Sequence, residues 1–190
     1  MDINQLPPGA VLIGRGKQGS VYKLSSDRCV KFYNNEKHAR KEYNAYRLAE
    51  GSPIIPKLYE NGPNYLVIEF IQGESLKKTL AKRGTITRSD SEQILHIIYE
   101  MRRLGFTRID TALFHIYIQA DHSCKIIDLV NSYNREYDIP KVMLKGLAKM
   151  GLLAPFLLHV KGLDPDMYTK WLDHIETRRD RYGNLRAFNK

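Results

Sequence analysis

The sequence predicts an α+β protein: an N-terminal antiparallel sheet carrying one helix, followed by a short, mostly helical part. Three observations predict it. Residues 10–33 hold three short runs rich in β-branched and aromatic side chains, separated by turn residues. Residues 34–51 change to helical spacing. Beyond Asn131, apolar residues recur at helical spacing again.

The first run, AVLIG, leads into glycines, and SVYKL leaves them. SSDR is a turn, and CVKFY alternates apolar and polar residues as a third strand. In NNEKHARKEYNAYRLAEG, Ala39, Glu42, Tyr43, Tyr46 and Ala49 mark one helix face and Gly51 closes it. SPIIPKLYENGPNYLVIEFIQG reads as two strands joined at Asn61-Gly62-Pro63. One helix starts at Ser75. A longer one runs from about Arg88 to Leu104, with Thr87 or Ser89 as cap and Ile94, Leu95, Ile98, Met101 and Arg102 along its inner edge. The loop GFTRIDTALFH leads into a hairpin made of HIYIQ, the turn ADHS and CKIIDL. PKVMLKGLAKMGLL and MYTKWLDHIETRRDRY then read as helices, and the basic tail RRDRYGNLRAFNK is expected to fray.

Composition bounds the function. With 190 residues, 43% of them hydrophobic, the chain can build one domain or two small lobes and is no disordered chain. A net charge of +9 favours phosphate-bearing partners such as nucleotides, nucleic acid or acidic lipid surfaces, or equally serves only solubility. Two cysteines, Cys29 and Cys124, both in apolar strand-like runs, make neither a disulfide framework nor a zinc site and suggest a reducing compartment. MDINQLPPG has no basic or apolar leader signature, and the greasiest stretch, MGLLAPFLLHV, is broken by Pro155. A cytoplasmic protein without a membrane partner is expected.

Gly14, Gly16 and Gly19 form G-x-G-x-x-G-x-V with Val21. A dinucleotide or Walker loop needs its glycines between a strand and a helix, and SVYKLSSDRCVKFY carries no helical stripe. Nor does G-K-[ST] occur in the loop. Behind the glycines stand Lys31 on a strand, Glu42 on the next helix, Glu69 at a strand end, Asp110 in a loop after a long helix and Asp128 ending a strand.

In that order and spacing, residues 10 to 135 resemble the protein kinase-like superfamily. The short C-terminal half is most similar to its small atypical members: bacterial serine/threonine kinase-like proteins, RIO-type kinases and the small kinases tied to tRNA modification. The resemblance implies a single bilobal kinase-like domain, with an N-lobe over 1–71 and an abbreviated C-lobe over 72–190. It implies ATP and Mg²⁺, or Mn²⁺ in its place, as cofactors. Gly14, Gly16 and Gly19 would approach the phosphates, Lys31 would bind the α and β phosphates, and Glu42 would hold Lys31. Ile13, Val21 and Cys29 would line the adenine slot from above and Tyr117 from below, with Ile68 at its back. Backbone groups of Glu69 and Ile71 would meet the adenine edge. Asp128 would bind the metal, and Asp110 would accept or orient the proton of the attacking hydroxyl.

Four departures stand beside the resemblance. The lysine expected two residues after Asp110 is Ala112, and the metal-binding asparagine expected five residues after it is His115, either a nitrogen ligand suited to Mn²⁺ or Zn²⁺ better than Mg²⁺ or a packed, hydrogen-bonding side chain. D-F-G is replaced by Asp128-Leu129-Val130. No A-P-E-like segment follows. Three functions stay open: an ATP-dependent phosphotransferase acting on a hydroxyl, of protein serine or threonine or of the chain itself; a pseudokinase that binds nucleotide or a partner; and a small-molecule kinase or ATPase linked to an RNA process through the basic tail.

Overall fold

The computed structural model describes residues 3–119, 121–134 and 136–178. The described residues form two compact units, one within residues 3–73 and 117–134, the other within 74–116 and 136–178. Together they make the expected α+β fold: an N-terminal antiparallel sheet with one helix, and a mostly helical C-terminal region.

In the first unit, β1 (Val11–Gly16), β2 (Gly19–Lys23), β3 (Arg28–Tyr33), β4 (Leu58–Asn61) and β5 (Tyr65–Glu69) form one sheet in the order β1-β2-β3-β5-β4. Every neighbouring pair is antiparallel. Side chains alternate along a strand, so the register sorts them onto two faces. Val30 pairs with Val67 and Phe32 with Tyr65, and this face buries a cluster joined by Leu6, Tyr22 and Leu24. Lys31 pairs with Val21 on one side and Leu66 on the other, and Cys29 with Ile68, which sets these residues on the opposite face.

Helix α1 (Glu36–Leu48) buries Ala39, Glu42, Ala45 and Tyr46. Asn35 caps it, its side chain accepting from Lys37 N–H at 2.8 Å. After the helix, Ile54 and Ile55 are buried, and the Ile54 carbonyl accepts from Ile126 N–H at 2.8 Å. That bond ties in the hairpin of β7 (Ile116–Ile118) and β8 (Cys124–Ile126), which follows the two-residue strand β6 (Glu74–Ser75) in the numbering. The hairpin turn is set by Asp121, whose Oδ1 accepts from the backbone and hydroxyl of Ser123.

The second unit is helical. It holds α2 (Leu76–Arg83), α3 (Arg88–Arg103), α4 (Lys141–Lys149), α5 (Leu153–Leu163) and α6 (Pro165–Glu176). Thr87 and Asp90 cap α3 reciprocally. Its buried side includes Ile94, Leu95, Ile98 and Met101, as the spacing predicts, and also Ser91 and Ile97. Phe156 of α5 stacks on Trp171 of α6.

Three expectations change here. The run PKVMLKGLAKMGLL is two helix segments, because Gly151 takes a left-handed φ of 72° after α4 and turns the chain. Pro155 does not break the apolar stretch that contains it. It lies in the first turn of α5, where no intrahelical N–H is needed, so LAPFLLHVKGL is continuous helix. The last predicted helix starts earlier, at Pro165, capped by Asp164 through Met167 N–H at 2.8 Å. The basic tail beyond Arg178 lies outside the described residues, and no described helix is long and apolar enough to cross a membrane.

Candidate functional site

The first unit brings Lys31, Glu42 and Asp128 together. Lys31 Nζ donates to Glu42 Oε2 at 2.6 Å and to Asp128 Oδ1 at 3.0 Å. The Lys31 side chain is 13% exposed, that of Glu42 1% and that of Asp128 27%, so the group runs from a closed end at Glu42 to an open end at Asp128. Burial lowers the pKa of the Lys31 ammonium, but the charges of Glu42 and Asp128 outweigh it and hold the group above its ordinary value. The lysine is thus a fixed cation.

Two further groups complete the site. Tyr33 Oη donates to Glu42 Oε2 at 2.8 Å, and Leu129 N–H donates to Glu42 Oε1 at 3.1 Å. The second bond depends on Asp128, whose left-handed backbone (φ 65°, ψ 64°) turns the chain into the 3₁₀ segment Leu129–Asn131. Asp is among the side chains that tolerate this conformation. Val130, where the D-F-G pattern has glycine, is buried.

The glycines lie in the β1–β2 hairpin. Gly14 opposes Val21, and Gly16 opposes Gly19. Asn34 ties the turn to the end of β3, donating from its backbone to Gln18 O at 2.9 Å. Gly19 has φ 154°, and a Cβ there would come within 1.7 Å of the Phe32 carbonyl oxygen. The fold itself requires that glycine. A Cβ on Gly16 would meet nothing within 4 Å. Ile13 is the extra residue at a register shift in β1 and is 46% exposed.

Cys29, Ile68 and Ile71 are buried, and Tyr117 is half-buried on β7. Burial pushes the Cys29 thiol up to about 12, which leaves it un-ionised and unreactive at neutral pH. Glu69 N–H donates to Lys57 O at 2.8 Å, and its carbonyl accepts the Cys29 thiol at 3.8 Å. Its carboxylate takes Lys125 Nζ at 2.6 Å and Lys57 N–H at 3.0 Å. A cavity of about 560 Å³ elsewhere in this unit, lined by Tyr46, Lys57, Tyr59 and Lys125 among others, contains no residue of the predicted constellation.

Asp110 and His115 belong to the second unit. The Asp110 carboxylate accepts from Val142 N–H at 2.9 and 3.1 Å and from Met143 N–H at 3.4 Å. These are first-turn donors of α4, whose cap residue Pro140 has no side chain that can accept. Burial raises the Asp110 pKa, against the lowering effect of these backbone bonds. His115 ends the 3₁₀ turn Leu113–His115, one residue before the strand, with its ring edge-on to Phe114. Among the described residues no group of three or more His, Cys, Asp or Glu side chains is set to hold a metal.

The sequence motifs single out neither Tyr33 nor the Leu129 N–H. The signal for Tyr33 was its place two residues after Lys31, on the same strand face. No pattern in the sequence marks the Leu129 amide.

No family model matches the chain. Over 123 residues it is 26% identical to a Bacillus subtilis (strain 168) protein named "Putative serine/threonine-protein kinase YrzF". The match covers 62% of this chain and 57% of that protein, so the chain spans little more than half the length of this relative. The similarity is a distant link to the protein kinase-like superfamily and to no particular branch of it.

Proposed function

We propose that the first unit binds ATP with a divalent cation, and that the chain moves the γ-phosphate to a hydroxyl, of protein serine or threonine or of the chain itself. The observation that carries this reading is the Lys31 ammonium held between a buried carboxylate, Glu42, and a more open one, Asp128. A phosphate chain needs a fixed cation, and the metal it brings needs a carboxylate oxygen.

The donor set fits a metal that arrives with its nucleotide. Mg²⁺ is commonly held by one or two carboxylates plus substrate phosphates, and Asp128 supplies one. When bound, the cation neutralises phosphate charge. The open space beside Gly16 suits close approach of phosphate oxygens. The Glu69 N–H is engaged by Lys57 O, and the Glu69 carbonyl, which also takes the Cys29 thiol, would accept from an adenine amine beside the backbone of Ile71. Asp110 would take or orient the hydroxyl proton, and its raised pKa suits a group that accepts one.

A second reading is favoured by Asp110's bonds to Val142 and Met143, together with Ala112 and His115: a module that binds nucleotide without transferring phosphate. A labelled-ATP transfer assay on the full chain separates the two. Transfer lost in both Lys31→Ala and Asp110→Asn supports the phosphotransferase. Nucleotide binding without transfer in the wild type supports the module.

A further inference from the structure

We propose that Tyr33 is a positioning residue for Lys31, acting through Glu42. Its consequence for ATP rests on the nucleotide-binding reading above; the clamp itself does not.

The period of a strand puts Lys31 and Tyr33 on one face of β3, toward Glu42. One carboxylate oxygen of Glu42 takes both the ammonium at 2.6 Å and the phenol at 2.8 Å, while the other takes Leu129 N–H at 3.1 Å. The Tyr33 ring also lies 5.1 Å from the Lys31 ammonium, within cation–π range. Tyr33 is 5% exposed, and burial, helped by the charge of Glu42, keeps its phenol protonated at all ordinary pH. Its backbone is fixed as well, donating to Asn64 O at 2.7 Å and paired with Gly19.

A neutral donor at this point has a specific use. Lys31 is shared between Glu42 and Asp128, and bound phosphates would compete for the same ammonium. If the ammonium turns toward them, a carboxylate held by Lys31 alone would be left buried and unpaired, which opposes the motion. Tyr33 and the Leu129 amide keep Glu42 satisfied and in one orientation, so the lysine can lean toward a ligand while its anchor stays still.

Tyr33→Phe tests this, since it keeps the ring and removes one hydroxyl. The direct readout needs no nucleotide: the rate at which a water-soluble succinimidyl ester acylates Lys31, measured by peptide mass spectrometry against exposed Lys77 in the same chain. With one donor to Glu42 gone, the buried carboxylate depends more on Lys31 and opposes its departure, which predicts about fivefold slower acylation of Lys31 in Tyr33→Phe. In a Glu42→Leu background, or Glu42→Gln if that variant does not fold, the same substitution should add nothing. An unchanged or faster Lys31 rate in Tyr33→Phe overturns the proposal, as does an equal decrease in both backgrounds. ATP titration of the same samples reads the other layer: about tenfold weaker binding in Tyr33→Phe is expected. A slower Lys31 in Tyr33→Phe, in a protein that binds no ATP, would leave the clamp standing and remove the nucleotide reading.

Discussion

Asp110 accepts the backbone N–H groups of Val142 and Met143, and so caps a helix whose own cap position, Pro140, offers no acceptor. One carboxylate thus has a structural duty and a proposed chemical one. Asparagine is as good a cap as aspartate but cannot take a proton. Asp110→Asn should therefore keep its thermal midpoint, while Asp110→Ala should lose about 1 to 2 kcal/mol. Transfer should disappear in both. Thermal unfolding beside the transfer assay checks this; activity surviving in Asp110→Asn would assign Asp110 to the cap alone.

Gly16 and Gly19 belong to one motif but carry different burdens. Gly19→Ala drives a Cβ into the Phe32 carbonyl and should cost about 3 kcal/mol. Gly16→Ala meets nothing and should leave stability within about 0.5 kcal/mol of wild type. Gly16→Ala should nevertheless weaken ATP binding, because its Cβ fills the space offered to phosphate. Chemical denaturation and ATP titration of both variants measure the contrast.

Lys31→Ala leaves Glu42 buried with two donors and no counter-charge. It should destabilise the first unit by about 3 kcal/mol and abolish ATP binding. Lys31→Met, closer in shape, should recover part of the stability and none of the binding. Recovery of binding in Lys31→Met would show that the charge is not what a ligand uses.

Glu69 gives the protein a pH signature. Burial raises its pKa, but Lys125 and the Lys57 amide outweigh burial and hold it below its ordinary value of 4.5. A depressed folded-state pKa means stability that is present above about pH 4.5 and lost as pH falls through the folded value. Lys125→Met should cost about 2 kcal/mol at pH 7, and the difference from wild type should narrow as pH falls below 4. Urea midpoints at the two pH values test the sign.

How much of this was legible in the sequence depends on the range of the cause. The strands are local: the alternation in CVKFY and the turn residues SSDR define β3, and the chain folds there as read. The apolar stripe of α3 is equally local, and Thr87 marks its start. Pro155 misleads because its effect depends on position in the helix, and Asp164, which fixes that position for the next helix, is an unremarkable acid in sequence. The candidate site follows the same rule. Lys31 and Glu42 stand out by type and order. Tyr33 reads as strand filler until its hydroxyl is seen on Glu42. The partners of Asp110 lie 32 and 33 residues away, beyond any periodicity.

On the function proposed, the Lys31–Glu42–Asp128 group is built to receive a metal-bound nucleotide. Calorimetric titration of ATP into the full chain, with and without Mg²⁺ or Mn²⁺, tests it most directly. Saturable binding that strengthens with metal and vanishes in Lys31→Ala is the predicted result. Heat that is absent in all conditions, or binding that Lys31→Ala leaves intact, would contradict it.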